Sequence, residues 1–231
     1  MDAVKKSHTS TLTEYAYKEI KQLIQNGTFQ PGSKLVTQDI ANQLGISRTP
    51  VVAAVNRLVA EEYADSIPHQ GTFVKKLSVK NIRDILELRL MIELYSVDIV
   101  IRNMVFDTEA VKELRSAVEE YRNIGPRDYD KAMKVECDFH QTIIGLTENS
   151  EILRVYKNSR CIETTYQMYR MANMELSTFQ DTYQEHEKIV EMLEAGNRAA
   201  VKALLEKHIR LPLNMLEWLV STGRPIGGLS L

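Results

Sequence analysis

The stretch Gly27–Phe73 constrains the fold of this chain more than any other. It reads GTFQPGSKL, then QDIANQLGISRTPVVAAVNRLVAEEY, and runs on into IPHQGTFV. Pro31-Gly32 signals a turn, because proline presets φ and glycine admits left-handed backbone. Thr37 is placed to cap a short helix, Gln38–Leu44, which Gly45 stops. Ser47 is placed to cap a second helix running to about Glu62, with Pro50 in its first turn, where a missing N–H costs little. Tyr63–Ile67 and Thr72–Lys76 have strand-like composition about a Pro68–Gly71 turn. Upstream, Leu12, Tyr15, Ile20, Leu23 and Ile24 recur near helical spacing over Thr11–Gln25, and Asn26-Gly27 ends that run. Helix, turn, two short helices and a hairpin, in this order, fit a winged helix-turn-helix, whose second helix lies in a DNA major groove.

Within Ser47–Glu62 the inward stripe is Val51, Ala54, Val55 and Leu58, which leaves Arg48, Thr49, Val52, Ala53 and Asn56 facing outward or towards the helix start. The N-terminal end of such a helix meets base edges, and its positive dipole end favours phosphate. Arg48 suits a bidentate contact to guanine, Thr49 a phosphate or base, and Val52 a thymine methyl. His69, Gln70 and Gly71 form the wing tip, where glycine permits close backbone approach to the minor groove. Thr37, Gln38 and Ser47 at the two helix starts join the candidate DNA contacts. Lys34, Arg48, Arg57, Lys75 and Lys76 make a local basic footprint for phosphates. Overall charge would not have suggested this. The chain carries −2, with nine Lys/Arg against seven Asp/Glu over residues 1–76 and twenty against twenty-four beyond.

From Ser78 the pattern changes to long helical periods: Val79–Met104, Thr108–Ile124, Arg127–Leu146, Ser150–Ala172, Thr178–Ala195 and Arg198–Val220. Short breaks at Gly125-Pro126, Asn149, Asn173 to Ser177 and Gly196-Asn197 predict a helical bundle, with Pro212 kinking its last helix. The expected fold class is mainly α, a winged helix-turn-helix followed by an all-helical bundle. The expected divisions are 1–76 for DNA binding, 77–222 for ligand binding and dimerisation, and 223–231 as a loose tail. No apolar run is long enough to cross a bilayer, so no membrane partner is expected and the chain is placed in the cytoplasm. Cys137 and Cys161 are expected to be two reduced thiols. Trp218 follows the apolar side of the last helix, as a core or dimer contact.

A second constellation lies in the bundle. Glu136 and His140 stand at i and i+4 and share a helix face. His186 and His208 flank the Gly196-Asn197 turn at similar depth, roughly 15–18 Å along each helix at the usual rise. Three imidazoles and one carboxylate are a reasonable donor set for a divalent metal ion of the Zn, Ni or Mn class. Two other readings stay open: a metal-free polar ligand pocket, and ordinary surface or core histidines. Asp138, two residues before His140, points to another face, as do Glu185 and Glu187 beside His186. Arg89 suits bidentate recognition of an organic acid, or else a helical ion pair with Glu93. Tyr166, Tyr169 and Arg170 could line the same cavity.

Three motifs resemble the N-terminal domain of the GntR family of bacterial transcription regulators: PGSKL (Pro31–Leu35), LGISRTPV (Leu44–Val51) and HQGTFV (His69–Val74). Three more, LRLMIE (Leu88–Glu93), FHQTIIGLTENSEIL (Phe139–Leu153) and EHEKIVEMLEAGNRAAVKALLEKHI (Glu185–Ile209), resemble the all-helical effector domain of its FCD branch. The resemblance implies a ligand-responsive homodimer on a pseudo-palindromic double-stranded DNA operator, sensing a small organic acid and acting as a repressor. The chain departs from the family at four places. Val52 and Ala53 stand where an arginine and a glutamate are common, Gln70 where a basic residue is frequent, and Glu136 where aspartate is usual. A different operator and altered metal geometry follow from these. Two alternatives remain: a constitutive DNA-binding dimer without an effector, and a metalloenzyme with a DNA-binding appendage.

Overall fold

The computed structural model describes residues 2–104, 108–174 and 182–223. The chain separates into two compact units between Leu77 and Ser78. The first holds helix α1 (Asp2–Gln25), α2 (Thr37–Leu44), α3 (Arg48–Ala60) and the strands β1 (Ala64–Ile67) and β2 (Gly71–Val74). Its core is one apolar cluster in which Ala16, Tyr17, Ile20 and Ile24 of α1 meet Val51, Ala54, Val55 and Leu58 of α3. Burying four such side chains of one helix stabilises it by several kcal/mol, at ~1.5–3 kcal/mol for each large one, which local propensity alone would not supply. Gly45 closes α2 in the left-handed region, at φ 65°, where glycine carries no Cβ penalty. The strands pair antiparallel, Ala64 opposite Val74 and Ile67 opposite Gly71. Ser33 and Leu35 extend the sheet: Val74 N–H donates to Ser33 and Leu35 N–H donates to Thr72, each at 2.8 Å.

Two expected caps are not made. Thr37 lies inside the first turn of α2, and Ser47 precedes α3 with extended backbone but no side-chain capping bond. The Thr37 hydroxyl is instead engaged by Arg48.

The second unit contains α4 (Val79–Met104), α5 (Thr108–Arg122), α6 (Tyr129–Gly145), α7 (Ser150–Ser159), α8 (Cys161–Met171), α9 (Thr182–Glu194) and α10 (Arg198–Ser221). Val97, Val100, Leu114, Phe139, Ile143, Ile189 and Leu205 are among the residues that merge five of these helices into one core. Side chains cap four starts: Ser78 accepts from Asn81 N–H, Asp128 from Lys131 N–H, Asn149 from Glu151 and Ile152 N–H, and Asn197 from Ala200 N–H. Each satisfies a backbone donor that the first helical turn leaves orphaned. α10 continues through Pro212 to Ser221.

The helix expected over Ser150–Ala172 is two helices. Arg160 adopts φ 54°, a left-handed conformation that ends α7 and lets α8 start in a new direction. Neither glycine nor asparagine marks the position, so periodicity carried straight across it. The expected tail beyond Gly223 and the start of the helix predicted from Thr178 lie outside the described residues. Cys137 and Cys161 are free thiols, and Trp218 is 42% exposed.

Candidate metal centre and DNA-reading surface

In the first unit, α3 turns Pro50, Val51, Ala54, Val55 and Leu58 inward. Ser47, Arg48, Thr49, Ala53 and Asn56 are exposed, as is Gln38 on α2, while Thr37 and Val52 are half-buried. Arg48 Nε donates to Thr37 Oγ1 at 3.0 Å, a bond that ties the tip of α3 to the start of α2 and orients the guanidinium. At the wing, His69, Gln70 and Gly71 are exposed, with positive φ at His69 (62°) and Gly71 (114°). A Cβ on Gly71 would lie 2.8 Å from Lys34 Cε, so the glycine gives Lys34 room to lie beside the wing, its ammonium 5.8 Å from the Phe73 ring centre. Two members of the basic footprint are already paired. Lys75 binds Glu62 at 2.8 Å, and Arg57 binds Glu14 at 2.7 Å and Glu61 at 2.8 Å while lying over the Tyr17 ring. Arg57 therefore braces α3 against α1.

In the second unit, α6, α9 and α10 bring Glu136, His140, His186 and His208 together. One donor atom from each lies within 4.8 Å of all the others, and all four residues are buried. His208 Nε2 is 3.2 Å from His140 Nε2, 3.4 Å from His186 Nε2 and 3.0 Å from Glu136 Oε1. Donor atoms bound to a common metal at about 2.1 Å sit roughly 3.0–3.4 Å apart in tetrahedral or octahedral geometry. The three separations from His208 fall in that range.

With all three imidazoles neutral, hydrogen bonding inside the cluster does not satisfy it. A neutral imidazole has a single N–H. His140 Nδ1 is committed to Glu93 Oε2 at 2.8 Å and His208 Nδ1 to Glu185 Oε2 at 3.1 Å. A ring that is neutral therefore turns an Nε2 lone pair towards the other donors. Glu136 Oε2 and His186 Nδ1 are buried with no hydrogen-bond partner among the described residues. Arg89, Glu93 and Glu136 are all buried, which leaves one negative charge in excess while the three imidazoles are neutral. Such a site calls for a cation.

The titration of these groups has the same cause. Burial pushes the Glu136 carboxyl up, but His186 and His208 outweigh it and hold it well below the ordinary carboxylate range. Burial pushes His208 down, yet Glu136 and Glu185 more than offset it and raise it to about 9. Burial drives His186 well below its usual value, Glu136 compensating only in part against His208 and His140. A proton on His208 directed at Glu136 is one way to supply positive charge here. A divalent ion is the other.

Surrounding rings hold the imidazoles. Phe139 stacks on His186 with centroids 4.0 Å apart, and Tyr121 meets its edge at 5.5 Å. Beside the donors is a cavity of about 20 Å³ lined by Arg89, Tyr121, Thr165, Tyr166, Tyr169 and Thr182 among others, room for one or two waters. Pro212 also lines it, and having no N–H it leaves the His208 carbonyl without its helical partner.

Of the two roles the sequence left open for Arg89, the ion pair with Glu93 is made. Its Nε binds Glu93 at 2.7 Å and an Nη binds Glu136 at 3.2 Å, and it also faces the cavity. Tyr166 and Tyr169 reach the cavity, whereas Arg170 pairs with Asp130. Asp138 is exposed beside Lys134. Glu185 corrects the expectation that it points elsewhere: its carboxylate reaches His208 across the α9–α10 pair, because residue 185 sits one position before the ligand face and its long side chain bends round. Tyr121, Tyr156, Thr165 and Thr182 had no sequence signal, since tyrosines and threonines on helices are ordinary surface or core residues until packing places them.

A winged helix with an exposed second helix, followed by a helical bundle enclosing a polar centre, defines a class of DNA-binding transcription regulators. The model described as "Bacterial regulatory proteins, gntR family" matches residues 12–74, and that of the FCD domain matches residues 84–211, more than half the chain. This chain belongs to the GntR family, in its FCD-containing branch. It is 29% identical over 210 residues to the probable D-xylose utilization operon transcriptional repressor of Paenarthrobacter nicotinovorans, covering 90% of this chain and 91% of that one. It is 29% identical over 130 residues to the Nta operon transcriptional regulator of Aminobacter aminovorans, a match spanning 56% of this chain and 61% of that protein. The solved structure of McbR/YncC from E. coli shares the fold, with a TM-score of 0.75 at 20% identity over 90% of this chain and 98% of that one. These relatives are regulators rather than enzymes, which sets the metalloenzyme reading aside. No helix among the described residues is long and apolar enough to cross a membrane.

Proposed function

We propose that this chain is a metal-dependent, effector-responsive repressor that works in the cytoplasm as a homodimer on a pseudo-palindromic operator. The observation that carries this reading is the convergence of three Nε2 atoms and the Glu136 carboxylate beside a polar cavity. A bound divalent ion would supply two positive charges and free coordination positions to a buried centre in which Glu93 and Glu136 face a single arginine. The balance then turns positive, so the occupant best suited to the cavity is a small anion, an organic carboxylate. Arg89 lies on the cavity wall to orient it, and the hydroxyls of Tyr121 and Tyr166, 2.8 Å apart, stay protonated because burial raises both tyrosines.

At about 20 Å³ the cavity is too small for such a ligand unless its walls give way. That movement is what coupling to DNA requires, because a ligand shifts an equilibrium only by its unequal affinity for two states. The repressor sign is supported by the relative from Paenarthrobacter nicotinovorans, itself named a probable repressor. Self-association is supported by an apolar groove on α4 and α7, where Met91, Tyr95 and Val155 are exposed, and by the doubling of contacts that two-fold symmetry gives one small recognition helix.

Elemental analysis of the purified protein, a thermal-shift screen of organic acids, sugar acids and amino acids, and gel shifts with selected duplexes test the proposal together. Bound metal near one per chain, and a carboxylate that both raises the melting temperature and releases DNA, are expected. Operator binding that no metabolite alters would instead leave a constitutive DNA-binding dimer.

A further inference from the structure

We propose that Glu93, which lies outside the four-donor cluster, is a positioning residue that sets the tautomer of His140, and that Arg89 and Tyr156 hold it in place for that task. The inference rests on the metal reading above. Glu93 is fully buried on α4, and its two oxygens have divided work. Oε2 lies 2.8 Å from His140 Nδ1. Oε1 accepts from Arg89 Nε at 2.7 Å and from the Tyr156 hydroxyl at 2.7 Å.

Arg89 and Tyr156 can only donate to this oxygen, so both fix the carboxylate as an acceptor and prevent it from rotating. The bond to His140 must then run from Nδ1–H to Glu93. That places the imidazole hydrogen on Nδ1 and leaves the Nε2 lone pair directed at His208 Nε2 and Glu136 Oε1, 3.2 Å and 3.3 Å away. A carboxylate behind a ligating histidine also raises the basicity of the ring. Three helices meet in this one residue: Glu93 from α4, His140 from α6 and Tyr156 from α7. Glu185 stands in the same relation to His208, but it is shared with Lys207 at 2.9 Å and is only half-buried, so the stronger constraint belongs to Glu93.

Co2+ is the probe, added to chelator-treated full-length protein and followed by its visible absorption and by competition with a chromophoric chelator. Glu93→Gln keeps the shape but offers an amide that can donate to Nδ1. It is expected to weaken Co2+ binding about 10–100-fold, the usual effect of losing such a partner, and to change the visible spectrum, whereas Glu93→Asp retains more affinity. Loss of fold alone would lower the melting temperature of the metal-free protein without altering the spectrum of the bound fraction. Should Glu93→Gln fail to fold, Tyr156→Phe decides, with a several-fold loss of affinity expected in a folded protein. Wild-type affinity and spectrum in the folded Glu93→Gln variant, or wild-type affinity in Tyr156→Phe, would overturn this inference alone. Failure of the unaltered protein to bind Co2+ would overturn the metal reading and this inference with it.

Discussion

Arg48 shows how a single side chain acquires a task from its neighbours. It is exposed at the start of α3, yet its Nε is held by Thr37, which leaves the two Nη groups free to form the fork that guanine recognition requires. Removing it by Arg48→Ala is expected to cost about 1–3 kcal/mol of operator affinity and to relax the preference at one base pair, measured by fluorescence anisotropy on duplexes altered at each position. A uniform loss across all sequences would show a phosphate contact instead. Gly71 is a second test at this scale. Its φ of 114° and the nearness of Lys34 Cε make Gly71→Ala strained, at about 1–3 kcal/mol, expected as a lowered unfolding midpoint of the N-terminal unit. Arg48 and Gly71 could be picked out from their place in a motif. The pairing of Lys75 with Glu62 and of Arg57 with Glu14 could not, because each joins charges from elements whose packing no local pattern specifies.

At the scale of elements, α6 carries the most. It presents Glu136 and His140 on one face, with Phe139 between them in sequence, fully buried and stacked on His186. Phe139→Ala is expected to lose about 3–5 kcal/mol of stability by the cavity it leaves, read by chemical denaturation. It should also loosen His186, so that metal affinity falls even under conditions where the variant is folded. A variant that loses stability but keeps full metal affinity would show that the aromatic stack is packing and nothing more. Most helix limits in the bundle followed from periodicity, but α1 begins at Asp2, ahead of the periodic run from Thr11. The break at Arg160 did not follow from it, because a left-handed residue other than glycine or asparagine is chosen by tertiary packing and leaves no trace in composition.

For the whole molecule, the test is association. Tyr95, 66% exposed beside Met91, lies in the apolar groove of α4 and α7. Tyr95→Glu is expected to shift the protein towards monomer in sedimentation and to weaken binding to a full palindrome far more than to a half-site. A variant that remains dimeric would place the contact on another face. Metal is expected to stabilise the whole protein by mass action, about 2.7 kcal/mol at a hundredfold excess over its dissociation constant, and treatment with a chelator to remove that gain.

The sequence alone determined that this chain folds as a winged helix followed by a helical bundle, and it singled out the four clustered donor residues, because apolar periodicity, turn residues and a turn midway between two histidines are properties of local spacing. Only the tertiary structure decided that Glu93, Tyr156 and Glu185 stand behind those donors, that Arg89 bridges two carboxylates, and that the cavity is small. Those facts depend on which faces of separate helices meet and at what height, and that is set by the close packing of the assembled core.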